Sequence, residues 1–215
     1  MAVQSIVRIE DLVDGKCLSP ERYDPRRQMI GSQTSSSLLG SVANISSRTM
    51  SLHDVDPNAT YRVLDTGDSF EGFVWPRRGA VDGTDIKSSK KILEPGDVII
   101  SRLRPYLRQV AFVDNYLFSG VRDVVCSTEY FVIRGKTDEQ SIAYMVPYLL
   151  SERVQRSLSY SQEGGHHPRF NLSVLKNLEI DDSIIQSSQE ISSIIVDAVR
   201  EMRKEVEKLH RISIG

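Results

Sequence analysis

The last eighth or so of the chain admits few conformations. Ile191, Ile195, Ala198, Met202, Val206 and Leu209 recur at steps of four, three, four, four and three, a spacing that lines one stripe of an α-helix and no face of a strand. The stripe is narrow and close to a heptad seam, with Arg203, Glu205, Glu207 and Lys208 on the other faces. Ser187-Ser188-Gln189-Glu190 stands in front of it as a capping box, with Ser187 at the cap and Glu190 three residues on. Residues 187–210 are therefore expected to form a helix of roughly 36 Å at about 1.5 Å per residue. So narrow a stripe points more to pairing with a second helix, between molecules or in a hairpin, than to packing on its own domain.

Upstream the chain has another character. Up to about residue 135 it is rich in β-branched residues and turn pairs: Asp14-Gly15, Thr66-Gly67-Asp68, Asp82-Gly83, Pro95-Gly96 and Ser119-Gly120. The runs between them, at 61–64, 70–75, 97–100, 109–113 and 129–133, have the length and composition of short strands. Many short, irregularly spaced strands imply a twisted, mainly antiparallel sheet or an open barrel. The segment 31–51, heavy in serine and small residues, suggests a loop or a weak helix. From Asp138 the periodicity turns helical, through Ile142, Met145, Val146, Leu149, Leu150 and Val154. Asp138 is the expected cap, Pro147 the expected kink or break, and the helix should stop before Gly164-Gly165. The fold class is α+β, with a mainly antiparallel domain and packed helices over residues 1–180. One long C-terminal coiled-coil helix for dimerisation or spacing follows over 187–212.

With 215 residues the chain can bury a sizeable core. Its net charge of −2 does not announce a nucleic-acid binder, so any such function needs cations gathered on one face. Cys17 and Cys126 are far apart, which fits a reducing compartment and leaves too few thiols for a cysteine-rich zinc site. The N-terminus has no apolar signal region, and no apolar run could span a bilayer. A cytoplasmic protein is expected.

Chemistry-bearing motifs are few. There is no Asn-Pro-Pro-aromatic or Asp-Pro-Pro-aromatic methyltransferase motif, no Gly-x-Gly-x-x-Gly and no Walker loop. Asp85-Ile86-Lys87, with Asp54 and Asp56 upstream, imitates half of a Mg-dependent nuclease motif at a spacing common by chance. Basic residues are more informative. Arg102, Arg104 and Arg108 fall within seven residues, interleaved with apolar and aromatic side chains, which suits phosphate contact from a surface tied to a core. Trp75-Pro76-Arg77-Arg78-Gly79 forms a rigid basic turn in which Trp75 is the core anchor and Arg77 and Arg78 the tip. Lys90 and Lys91 add further positive charge. Gly164-Gly165-His166-His167-Pro168-Arg169 reads either as a loop whose glycines allow close approach to DNA, with His166, His167 and Arg169 as donors, or as a polar connector. Metal binding by adjacent histidines is the weaker reading, and no metal site is expected.

Leu93–Lys136 carries most of the meaning. Gly96-Asp97-Val98-Ile99, then Ser127-Thr128-Glu129-Tyr130-Phe131-Val132-Ile133-Arg134, then a helix and Gly164-Gly165, then Leu172–Ile180 and the long helix follow one another in that order. That order and spacing resembles the target-recognition domain of specificity subunits from type I DNA restriction–modification systems. Such subunits usually carry two recognition domains joined by two antiparallel helices, and this chain has room for one of each. The hinge before Gln189-Glu190 also lacks the family's usual prolines, and that pair is inverted. The resemblance thus implies a half-sized, non-catalytic subunit that reads a DNA half-site and pairs its helix with an identical or sister chain. A helix of roughly 36 Å is comparable to one turn of B-DNA, about 34–36 Å. It also implies docking to an adenine methyltransferase subunit using S-adenosylmethionine and to a restriction motor subunit using ATP and Mg, with no cofactor on this chain. Two alternatives remain open, a stand-alone Mg-dependent nuclease and a coiled-coil protein–protein adaptor that does not bind DNA.

Overall fold

Strands of two to five residues have no stability alone and must be paired from far along the chain. A computed structural model describes residues 6, 8, 35–162 and 168–213 and shows those pairings. The described chain begins with β1 (Ser36–Leu38), the single-turn helix α1 (Leu39–Val42), β2 (Asn44–Ser46) and β3 (Thr49–Met50). There follow β4 (Thr60–Leu64), β5 (Ser69–Phe70), β6 (Phe73–Val74), β7 (Val81–Asp82) and β8 (Lys90–Ile92). The central strands are β9 (Val98–Ser101), β10 (Val110–Phe112), β11 (Asp123–Cys126) and β12 (Tyr130–Arg134). Helices α2 (Met145–Leu150), α3 (Glu152–Tyr160) and α4 (Leu172–Lys176) lead to β13 (Glu179–Asp181), α5 (Asp182–Gln186) and α6 (Ser188–Ser213). No helix among the described residues is long and apolar enough to cross a membrane.

Two sheets carry the architecture, one ordered β10-β9-β12-β2 and fully antiparallel, the other ordered β3-β8-β11-β4-β7. Strands β9, β10 and β12 of the first sheet are buried on both faces, and their period of two sorts side chains between two cores. Val98, Ile100, Phe131 and Ile133 face the helices, while Ile99, Tyr130 and Val132 face the second sheet. A fully buried Ile, Val or Phe stabilises the fold by roughly 1.5–3 kcal/mol, so this doubly covered sheet is the centre of stability. Val199 of α6 belongs to the helical core, and Ile191, Ile195, Val196 and Val206 pack against it.

The two motifs quoted above are joined to each other. Gly96 takes φ 92°, which lets the chain turn so that Asp97 points inward, 1% exposed. Its carboxylate accepts bonds from Arg134 Nε at 2.7 Å and Nη2 at 2.8 Å, and from the Glu94 amide at 2.8 Å. Arg134 also reaches Glu94 at 2.8 Å. The Gly-Asp and terminal-Arg positions of the family pattern are thus a structural clamp between β9 and β12.

The α+β, mainly antiparallel expectation holds, with one exception. β11, unread in the sequence, runs parallel to β4 with Cys126 opposite Leu64. The helix expected from Asp138 starts only at Met145, and its break falls at Ser151, not at Pro147. Pro147 sits in the first turn of α2, where a missing N–H costs nothing, and Ser151 Oγ accepts from Val154 N to cap α3. Within 31–51, Leu39–Val42 forms the weak helix expected, but Ser36–Leu38 and Asn44–Ser46 are strands, because β1 pairs with β13 and β2 with β12. The Ser187 capping box does not form. Ser187 closes α5 with φ −91° and ψ 8°, away from the extended geometry a cap requires, and its carbonyl accepts from Ile191 N.

Candidate nucleic-acid interface

Beyond Ser101 the chain leaves β9 and crosses to the segment after α3. Arg102 N donates to Glu129 O at 2.9 Å, Phe170 N to Arg102 O at 3.2 Å, and Leu103 bridges Arg169. These main-chain bonds bring three distant stretches together and cluster their charges. Glu129 holds Arg169 by Nη2 at 2.7 Å and Nε at 3.0 Å, while Arg102 Nε lies 3.6 Å from the same carboxylate. Lys91 arrives from β8, donating to Tyr130 O at 2.6 Å with its ammonium 5.3 Å from the centre of the Phe131 ring. The Arg102 guanidinium sits 5.8 Å from that ring. Three cations therefore surround one carboxylate and one aromatic ring, leaving a net positive, half-buried patch. Burial holds the Lys91 ammonium below the usual lysine range, and it pushes the adjacent Cys126 thiol up to about 12, so that thiol is no nucleophile.

Beside the patch a finger projects. Pro105–Leu107 forms a 3-10 turn bracketed by Arg104 at φ 45° and Arg108 at φ 52°. Glu71, at φ 42°, joins it by donating its amide to Arg108 O at 3.3 Å and accepting Arg108 Nε at 2.7 Å. The three non-glycine residues with positive φ among the described residues thus meet at one place. A left-handed non-glycine residue costs roughly 1–2 kcal/mol, and such strain concentrates at functional sites. What the strain presents is Arg104, exposed, and Tyr106, 64% exposed.

Of the residues singled out in the sequence, Lys91, Arg102 and Arg169 come together, with Arg104 on the finger and Arg108 serving as its brace. Lys90 neighbours Lys91 along β8, so its side chain leaves the opposite face, toward Ser88 Oγ at 2.6 Å. Arg77 and Arg78 are exposed on a separate turn, held where the Arg77 amide donates to Asp68 Oδ1 at 3.0 Å. Trp75 is not a core anchor. It is exposed, with its ring edge-on to Phe73 at 6.4 Å. His166 and His167 lie outside the described residues. On α6, Ile191, Ile195 and Val206 are half-buried against the chain's own core, whereas Ala198, Met202 and Leu209 are exposed. Asp54 is bonded to Ser51 and Asp56 to Arg122, and no three metal-ligating side chains gather among the described residues. The nuclease constellation around Asp85 and Lys87 is not assembled.

Residues 34–212 match the model of the type I restriction modification DNA specificity domain. The chain belongs to that family. The fold of this specificity domain agrees with two solved structures. One comes from work on complex assembly and conformational transition of the type I R-M system (TM-score 0.59, 20% identity, 85% of this chain). The other is the HsdS subunit from Thermoanaerobacter tengcongensis (TM-score 0.56, 21% identity, 83% of this chain). At that identity the likeness concerns the fold. The specificity domain spans 46% of each of those chains. No curated protein matches it in sequence.

Sequence reasoning missed Glu129, Phe131, Glu71 and Tyr106 as parts of this surface. Glu129 stands in a motif read for its aromatic and apolar residues, and nothing local reveals that two arginines from elsewhere converge on it. Tyr106 carried a usable signal, an aromatic behind a proline between two arginines.

Proposed function

We propose that this specificity domain reads a DNA half-site with the patch formed by Lys91, Arg102 and Arg169 around Glu129 and with the Arg104–Arg108 finger. The convergence of those cations beside a strained, exposed finger is the observation that carries the reading. Arginines and a lysine supply phosphate and guanine contacts, a carboxylate accepts from cytosine amino groups, and an exposed tyrosine offers a stacking surface. Arg77, Arg78 and Lys90 contribute further positive charge, and His166 and His167, which precede Arg169 in the sequence, contribute further hydrogen-bond donors. The domain binds and positions, and the chemistry belongs to partners: an adenine methyltransferase using S-adenosylmethionine, and a restriction motor subunit using ATP and Mg.

The long helix completes the reading. Its exposed apolar stripe of Ile194, Ala198, Met202, Leu209 and Ile212 suits a second helix from another copy or sister recognition domain. Paired helices would hold two half-sites at a set separation. The stripe is offset from the one read in the sequence, because Ile191, Ile195 and Val206 are turned toward the core.

The test is duplex selection from a random library with the purified chain, followed by titration of the selected duplex at several salt concentrations. Sequence-preferring binding is expected, with the log–log salt slope falling by about one for each of Lys91→Ala, Arg102→Ala and Arg104→Ala. A chain that selects no sequence, or folded variants whose slope is unmoved, would sink the assignment.

A further inference from the structure

α6 is held to the recognition domain by apolar contacts and by two polar side chains on its inner face. Ser192 Oγ accepts from the Tyr144 amide at 3.1 Å. About three turns later Arg203, only 6% exposed, enters the domain. Its Nη2 donates to Val74 O at 2.9 Å and to Asp114 Oδ1 at 3.0 Å, and its Nε to Asp114 Oδ2 at 3.2 Å. The guanidinium carbon lies over two rings, 4.2 Å from the centre of Phe73 and 4.6 Å from that of Tyr116. The DNA-facing patch uses none of these groups. A buried arginine with a bidentate carboxylate, a carbonyl and two ring faces has one orientation, which lysine could not reproduce.

Apolar contacts resist separation but allow sliding and rolling, whereas directional polar contacts select one register. Beyond Arg203, Val206 is the one hydrophobic side chain among the described residues that packs on the core, so the rest of the helix takes its direction from this pin. We infer that Arg203, paired with Asp114, is a positioning residue that fixes the direction of α6 relative to the recognition surface and thereby sets the spacing between half-sites. The inference rests on the paired-helix reading above. The lever is long enough to matter. Ser192 to Ser213 spans about 30 Å at about 1.5 Å per residue. A tilt of roughly 6° over that length moves the far end by about 3 Å, close to the 3.4 Å step between base pairs.

The experiment is selection by the purified full chain from duplexes carrying two half-sites at systematically varied spacing. The wild type should prefer one spacing by about tenfold or more over spacings one base pair longer or shorter. Arg203→Met alone leaves the half-buried Asp114 carboxylate without its arginine and can unfold the protein, so the decisive variant is Asp114→Leu with Arg203→Met, which replaces the pair by apolar groups. That variant should select the same half-site sequence while its spacing preference drops below about threefold. If the wild-type preference survives in the double variant, this inference falls alone, and loss of the half-site sequence together with the spacing would make Arg203 a general structural residue. A wild type that selects half-sites without any spacing preference removes the paired-helix reading and this inference with it.

Discussion

Replacing Asp97 by alanine should unfold the recognition domain at markedly lower temperature without touching its surface. The carboxylate accepts from Arg134 at 2.7 and 2.8 Å and from the Glu94 amide at 2.8 Å, all at a position 1% exposed. Removing one partner of a buried ion pair typically costs about 3–5 kcal/mol because the other charge is stranded. Arg134 keeps a quarter of its side chain exposed and retains Glu94 at 2.8 Å, so the lower end applies, about 3 kcal/mol. For a domain of this size each kcal/mol moves Tm by about 2–4 °C, giving a drop of roughly 6–12 °C. Thermal unfolding followed by circular dichroism measures it, together with a double-mutant cycle against Arg134→Met. The double variant should recover much of the loss, since an apolar pair of similar volume is close to neutral. A drop below about 2 °C for Asp97→Ala, or costs of the two single variants that simply add, would refute the clamp.

Three further outcomes follow from the patch and its finger. Arg104→Gly should raise stability by about 1 kcal/mol in denaturant titration, because glycine accepts φ 45° freely, while weakening duplex binding; a destabilised variant would contradict the strain. Glu129→Gln should raise affinity for arbitrary duplex by about three- to tenfold and narrow the gap to the selected site, since it removes the one carboxylate among three cations; unchanged anisotropy titrations on both duplexes would count against its role. Lys91→Met should leave the fold at least as stable at neutral pH while weakening binding. Because burial lowers the Lys91 pKa in the folded state, its charge is an unfavourable contribution present below that folded value and lost as pH rises from it toward 10.5. The stability difference between variant and wild type should therefore shrink over that window, and a difference that grew with pH would reverse the assignment.

Elements whose information is local could be read along the chain. The period of the last helix, the alternation and turn punctuation of 61–64, 97–100, 109–113 and 129–133, and the order of the family motifs were all legible, and with them the α+β class. Arg102, Arg104 and Arg169 were legible as charged residues in a suggestive order. What those charges do emerges from long-range contacts alone, because a guanidinium's role depends on which carboxylate reaches it. Glu129 pairs with two of them, Asp97 turns Arg134 into a clamp, and Glu71 makes Arg108 a brace instead of a free cation. Arg203, which the heptad pattern placed on an outer face, is the most deeply held cation on α6 because Phe73, Tyr116 and Asp114 close around it. The same physics moved the apolar stripe. Periodicity specifies that a helix has a buried face, but which of two overlapping stripes turns inward is set by the shape of the core it meets, and that core is built from strands far away in the chain.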